Sequence, residues 1–267
     1  MPEDSPSEPS HSALPVAPAL EREVSRGRRL RQNPIIDMGT VRIALLAVAL
    51  GVVGGCAAPA LPALRGLITN IPSSGGLPPE FISPAGNQLG IFVVLVPVIG
   101  GLIVGVMARY GSQAIRGHGI PEAMEQVLMN RSRIQPRLTF LKPVSSAIAI
   151  GTGGPFGAEG PIIATGGAFG SLLGQLLRTT DDERKTLLAA GAAAGMAGTF
   201  GSPIAAVLLA VELLLFEFRA RSLIPVALAS VAATVVRISF IGTDPIFAMP
   251  DIAAPGIAAI CIYVILG

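Results

Sequence analysis

The chain has 267 residues, of which 51% are hydrophobic and only 13% are charged, and its formal net charge is +2. A soluble globular domain carries about 25% charged residues, so this composition argues strongly against an ordinary soluble enzyme. The 32 glycines and 23 prolines are too many for ordinary helices. They are tolerated in membrane helices, where neighbouring helices satisfy the interrupted backbone. The composition therefore predicts an all-α polytopic membrane protein.

Residues 1–33 differ from the rest of the chain. Met1–Leu20 is rich in proline, serine and alanine without apolar periodicity, which predicts disorder. A basic cluster follows, formed by Arg22, Arg26, Arg28, Arg29 and Arg31. The first apolar run begins only near Val41, too late for a signal peptide. We expect residues 1–33 to be a disordered cytoplasmic tail. Nucleic-acid binding is not expected, because the cluster lacks aromatic residues and adjoins a membrane span.

Two simple membrane spans follow. Val41–Leu67 and Leu89–Ala108 are separated by the loop 70–88, which contains no lysine or arginine. After the second span, basic residues accumulate at Arg109, Arg116, Arg131, Arg133, Arg137 and Lys142. The positive-inside rule then places both ends of this helical pair, and the N-terminus, in the cytoplasm.

The later apolar segments are not simple spans. Val144–Leu177 and Leu187–Phe218 are interrupted by glycines and prolines, and Leu223–Ile241 and Ala253–Leu266 complete the set. The glycines recur every fourth residue at Gly166, Gly170 and Gly174 and at Gly191 and Gly195. This spacing predicts close helix packing, unless small residues are simply common here. The chain ends within an apolar run at Gly267, which we interpret as a truncation.

Three segments combine glycine with a proline that marks the start of a helix: Gly117–Pro121, Gly157–Pro161 and Gly201–Pro203. Proline favours the first helical position, and glycine lets the backbone turn tightly and approach a ligand. A helix start offers free N–H groups and a positive dipole end, which attract an anion. Broken helices that point at a midplane site recur in transporters. The pattern therefore predicts an ion pathway, with packing kinks as the alternative.

Glu159 is the single charged residue between Lys142 and Arg178. A carboxylate within a membrane is costly and indicates a function by default. At a helix start its charge is favoured, so it can occupy the position that an anion would take. We predict that Glu159 is a gate. The alternative is a helix-capping glutamate paired with a neighbour.

Several segments, in order and at similar spacing, resemble the CLC family of chloride channels and anion/proton exchangers. They are Gly117–Glu122, Gly154–Pro161, Ala189–Gly195 and Phe200–Ala205, continued to Glu212. The resemblance covers about residues 41–267. It implies the first half of an inverted-repeat fold with broken, re-entrant helices. Residues 34–267 would form the transmembrane domain, with the first repeat reaching about residue 241 and the start of the second repeat following it.

The resemblance also implies a homodimer with one pore per subunit, and it assigns roles to particular residues. Glu159 would be the external gate, and Lys142 matches a basic position that would line the pore electrostatically. The anion-binding residues would be Gly117, His118, Gly119, Ile120 and Pro121 in the first motif and Gly160, Pro161 and Ile162 in the second.

The sequence departs from the family pattern at three places. His118 replaces the usual serine; its imidazole N–H can still donate to an anion, or the ring is a satisfied histidine in the cytoplasmic vestibule. Leu213 stands where exchangers carry an internal proton-transfer glutamate, which favours a passive channel or a loosely coupled transporter. We do not expect Glu217 to replace that glutamate, and we interpret Glu212 as structural. We also expect the chain to end before the anion-binding helix start and the tyrosine ligand that the family carries in its second half.

The expected function is passive anion transport, with chloride as the anion, by a CLC-type voltage-gated channel. The alternatives are a proton-coupled chloride or anion antiporter and an inactive or assembly fragment without a complete pore. No enzymatic constellation is evident, so neither metal nor cofactor is expected; Cys56 and Cys261 lie in apolar runs. The expected partners are the lipid bilayer, a small anion and a second copy, and the expected location is the plasma or inner membrane.

Overall fold

The computed structural model describes residues 38–76, 78, 82–83, 86–87, 89–117, 119–242 and 256–266. Within these ranges the regular secondary structure is all helical, and no strand is present. The helices are α1 (Met38–Ala57), α2 (Ala60–Ser74), α3 (Leu95–Tyr110), α4 (Ile120–Met129), α5 (Pro136–Gly151), α6 (Glu159–Leu176), α7 (Asp181–Phe200), α8 (Pro203–Ala210), α9 (Ala220–Ile241) and α10 (Ile257–Leu266). Short 3-10 segments lie at Gly90–Val94 and Gln113–Ile115, and a π segment lies at Val211–Leu215. The predicted tail over residues 1–33 and His118 lie outside the described residues.

In the described part of the chain, three helical stretches are long and apolar enough to cross a membrane. They are Met38–Ser73, Gly90–Tyr110 and Ala220–Ile241, and a shorter apolar stretch covers Pro203–Leu215. The two interrupted segments of the sequence each divide into two helices. α5 and α6 are separated by residues 152–158, and α7 and α8 by residues 201–202. The all-α membrane architecture with broken helices is therefore confirmed.

Helix α7 is the centre of the packing, with contacts to α1, α6, α8 and α9. Thirteen of its twenty residues are buried, because a run of small side chains, Ala189–Ala194, lets its neighbours approach closely. The contact with α6 is backbone against backbone: a Cβ atom added at Gly166 would overlap the carbonyl oxygen of Gly191, and the reverse also holds. Gly170 lies in the same way against the carbonyl of Leu187.

The connection between α4 and α5 is hydrogen-bonded to side chains of α6. The Ser171 hydroxyl donates to the carbonyl of Ser132 at 2.6 Å and accepts the amide of Ile134 at 2.9 Å. The Gln175 side chain donates to the Ile134 carbonyl at 2.8 Å. These bonds hold the far end of α4 against α6, so the two helices are fixed relative to each other. Their first turns can then meet.

Candidate functional site

The starts of α4 and α6 are in backbone contact. Gly119 precedes α4 with φ of +100°, a conformation that residues with a side chain rarely adopt. A Cβ atom there would lie 2.5 Å from the carbonyl oxygen of Gly160 and 3.0 Å from the Cβ of Ala164. The glycine is therefore required twice, by its backbone angle and by this approach. The structure thus brings the first two predicted motifs together.

A cavity of about 290 Å³ lies beside this contact. Helices α3 and α5 form its walls, and the two motif loops contribute the rest. It is lined by Pro97, Gly101, Val104, Ile115, Arg116, Gly117, Ser145, Ser146, Ala149, Ile150, Thr152, Gly154, Phe156, Gly157 and Pro161. Most of this lining is apolar, with a few hydroxyl groups and one charged side chain. An apolar cavity with a few polar groups at a junction of helices is typical of a ligand site.

Lys142 holds the loop that precedes α4. Its side chain is buried, with 4% of its surface exposed. The ammonium donates to the carbonyl oxygens of Ile115 at 3.0 Å, Arg116 at 3.4 Å and Gly117 at 3.1 Å. The Arg116 carbonyl and the Gly117 N–H belong to one trans peptide and therefore point in opposite directions. Because the carbonyl faces the lysine, the Gly117 amide is turned away from it. Lys142 is not among the residues that line the cavity, and its electrostatic role in the pore stays a prediction.

Glu122 is a further residue that shapes this loop, with a role that was not predicted from the sequence. Its carboxylate accepts the amide of Gly119 at 2.6 Å. The Gly117 backbone, with φ of +88°, packs against the same carboxylate. A glutamate at the third helical position that reaches back to the residue before the helix is a known capping arrangement. The spacing of Gly119 and Glu122 was the signal that could have revealed it.

Glu159 is the first residue of α6, and its side chain is exposed. The residues two positions before and after it, Gly157 and Pro161, both line the cavity. Glu159 therefore lies in the chain between two lining residues, and it is not itself among the lining residues. In the described part of the chain, no ion pair with a cationic side chain involves Glu159. A capping partnership with a neighbouring side chain, the alternative role, is not seen there either.

The other predicted anion-binding residues lie at the two helix starts. Gly160, Pro161 and Ile162 are buried, while Ile120 is half-buried and Pro121 is exposed. The Ile162 amide donates to the carbonyl of Ala158 at 3.1 Å, so it already belongs to the first turn of α6. Because the first N–H groups of a helix have no partner within it, the amides that precede Ile162 are the ones left for a ligand.

The third broken helix lies apart from the other two. Gly201 ends α7 with φ of +67°, and Pro203 opens α8, whose carbonyl at Pro203 accepts the Ser230 hydroxyl at 2.9 Å. The neighbours of α8 are α7, α9 and the π segment. Gly201 lies close to the buried guanidinium of Arg237, 3.1 Å from the position of an added Cβ. This helix start contributes nothing to the lining of the cavity.

The residues near the predicted inner proton position are placed as follows. Leu213 lies in the π segment, half-buried, and packs against the hydrophobic core. Glu212 is exposed. The Glu217 carboxylate accepts the Ser222 hydroxyl at 2.9 Å and pairs with Arg219 at 3.2 Å. Glu217 is thus engaged by the first turn of α9 and its flanking residue.

Comparison with family models matches residues 100–267 to the family described as voltage gated chloride channel. Among curated proteins, the chloride channel protein CLC-f of Arabidopsis thaliana is 31% identical over 187 residues, which cover 66% of this chain and 23% of that protein. The H(+)/Cl(-) exchange transporter ClcA of Vibrio vulnificus is 32% identical over 195 residues, covering 69% of this chain and 41% of that protein. The chain thus spans less than half the length of these relatives.

Two solved structures share the fold. The first, a slow cyanobacterial Cl⁻/H⁺ antiporter, is 21% identical with a TM-score of 0.59, and the match covers 88% of this chain and 53% of that one. The second, a CLC-type fluoride/proton antiporter, is also 21% identical, with a TM-score of 0.66 and coverage of 85% and 53%. The described helices therefore correspond to about half of each of these chains.

Proposed function

We propose that this chain, which belongs to the voltage-gated chloride channel family, CLC, takes part in chloride transport across a membrane. The observation that carries the proposal is the backbone contact between the starts of α4 and α6 beside a cavity. Two helix starts that converge on one place add their positive dipole ends. The Gly119 amide at the start of α4 is bound by Glu122, and the amides before Ile162 at the start of α6 have no partner within the helix. In a lipid environment such groups need a partner, and a small anion satisfies several of them at once.

Passive conduction is the mechanism that we propose first, with Glu159 as the external gate. Its carboxylate belongs to the first residue of α6, between two residues that line the cavity, where it would compete with an anion for the same amides. Leu213 supports the passive mechanism, because a hydrocarbon side chain that packs against the core can neither accept nor release a proton. His118, in the first motif, would tune the choice between anions.

Proton-coupled anion exchange is the second candidate. It is favoured by the relatives named as H(+)/Cl(-) exchange transporters and by the two antiporter structures with the same fold. In this case Glu159 would carry the proton at the outer side, and a group other than Leu213 would be required at the inner side. The working unit that we propose for either mechanism is a homodimer in the plasma or inner membrane with a cytoplasmic N-terminus.

Replacing the Glu159 carboxylate tests this proposal. Glu159→Gln removes the charge that competes with the anion, so we expect faster chloride efflux and a smaller dependence on external pH. The measurement is efflux from liposomes that contain the full chain, read with a chloride electrode. Glu125→Gln is the matched control, because Glu125 is exposed on α4 and is not among the residues that line the cavity.

Two results would contradict the proposal. Efflux and pH response that match those of Glu125→Gln would remove Glu159 from the gate. Liposomes with the unaltered chain that release no more chloride than empty liposomes would favour the assembly fragment, since the chain would then lack a complete pore.

A further inference from the structure

The cavity beside the two helix starts contains one charged lining residue, Arg116. Its backbone is fixed at two points. The Arg116 amide donates to the carbonyl of Gln113 at 3.1 Å, and its carbonyl accepts the Lys142 ammonium at 3.4 Å. The residue is therefore anchored, while its side chain remains exposed.

The guanidinium of Arg116 has no carboxylate partner within the ranges that the structure describes. This distinguishes it from Arg184 and Arg219, which pair with Asp181 and Glu217. Its positive charge is not neutralised locally. It is thus available to an anion that enters the cavity.

Lys142, the other cation near this loop, is not placed to contact an anion in the cavity directly. It is buried and its ammonium is occupied by three carbonyl oxygens. Lys142 adds its buried positive charge to the field in the cavity, and Arg116 is the cation on the cavity lining that an entering anion can contact. Apolar walls strengthen such a field, because a charged cleft with low-dielectric walls concentrates counter-ions.

We infer that Arg116 recruits small monovalent anions at the cytoplasmic mouth of the cavity and passes them into the cavity. The inference rests on the proposed function and assigns a residue to its entry step. The cytoplasmic side follows from the chain order, since Arg116 lies in the basic segment 109–142 that the positive-inside rule assigns there. An exposed guanidinium holds an anion only briefly, because water screens the pair, and brief binding suits a recruiting residue.

Removing the positive charge of Arg116 should change how the transport rate depends on the chloride concentration. With Arg116→Gln we expect the half-saturating chloride concentration to rise about tenfold at low ionic strength, at the lower end of what electrostatic steering by a charged cleft produces. The maximal rate should remain. Arg116→Lys keeps the charge and should behave like the unaltered chain. Arg133→Gln removes one exposed charge outside the cavity and is the matched control.

The experiment measures chloride efflux from liposomes with the full chain over a range of chloride concentrations, with and without added sodium sulfate. A shift for Arg116→Gln that shrinks when the sulfate screens the field supports the inference. A curve identical to that of Arg133→Gln overturns it. A lost maximal rate that Arg116→Lys does not restore also overturns it, since the loop would then have been damaged.

Chloride binding by the purified chain, followed by the line width of the chloride NMR signal, keeps this test separate from the proposed function. Binding that weakens in Arg116→Gln but not in Arg133→Gln supports the recruiting residue even if no efflux is found. Binding that is equal in both variants overturns it, even if transport is confirmed.

Discussion

At the scale of single residues, the site depends on glycines that leave room for backbone contact. Gly119 has φ of +100° and lies against the Gly160 carbonyl, whereas Gly153 has a nearly equal φ of +99° and no atom within 4 Å of an added Cβ. Substituting Gly153 would therefore cause backbone strain alone, whereas substituting Gly119 would also disturb the contact between the helices. Only at Gly119 would a methyl group push the two helix starts apart.

Gly119→Ala should lower the free energy of unfolding more than Gly153→Ala does. Both variants carry a strain of about 1–3 kcal/mol from the unfavourable backbone angle, and Gly119→Ala adds the overlap with the carbonyl. Thermal unfolding of the purified chain in detergent measures the difference. We expect chloride to stabilise the unaltered chain and Gly153→Ala, but not Gly119→Ala. Equal losses in the two variants would show that the contact with Gly160 is unimportant.

Part of the site was accessible from the sequence at this scale, and part was not. The glycine–proline pattern placed Gly117–Pro121 and Gly160 at helix starts, and the structure brings these segments together. The three carbonyls that Lys142 binds could not be predicted, because they depend on how α5 packs against a loop 25 to 27 residues earlier in the chain. These contacts form only when the chain folds, so no local sequence pattern indicates them.

At the scale of helices, the packing of α6 on α7 depends on Gly166 and Gly191. The glycines at every fourth residue predicted that these helices approach closely, and the structure shows contact between the two backbones. The breaks between helices were also predictable from glycine and proline. The sequence could not predict that the third broken helix lies away from the cavity. Local sequence determines where a helix starts, whereas tertiary packing determines what it faces.

Gly191→Ala and Gly105→Ala should change stability in opposite directions. Alanine in place of a helical glycine favours the helix by about 0.5–1 kcal/mol, and at Gly105 no atom lies within 4 Å of the new methyl group. At Gly191 the methyl group would overlap the Gly166 carbonyl, and overpacking of this kind costs about 1–3 kcal/mol. Unfolding by guanidinium in detergent measures both variants. A stabilising Gly191→Ala would refute the close contact.

At the scale of the whole molecule, the chain is a CLC-family membrane protein that spans about half the length of the solved chains with its fold. Composition alone indicated the membrane, because a chain with 13% charged residues cannot cover a soluble surface. The choice between conduction and exchange is a different kind of question. It depends on one inner group that accepts protons, and the family resemblance predicts Leu213 at the position where exchangers carry it.

A proton-coupling experiment decides between the two mechanisms. If transport is passive, an imposed chloride gradient across liposomes that contain the full chain should drive chloride but no uphill proton movement. A pH-sensitive dye inside the liposomes records the protons, and a protonophore added at the end provides the positive control. Uphill acidification or alkalinisation coupled to the chloride gradient would establish exchange, and the passive assignment would then be wrong.

The lysine contact at the first motif also bears on how this region can move. Because one ammonium serves three carbonyls in succession, the segment from Ile115 to Gly117 and helix α5 behave mechanically as one piece. Detaching them would require three hydrogen bonds to break together in a buried place. Any rearrangement that shifts the segment while these bonds persist must carry α5 along. It would then disturb the surfaces of α2, α3 and α6 on which α5 rests, so small displacements beside the cavity would be transmitted to distant parts of the bundle.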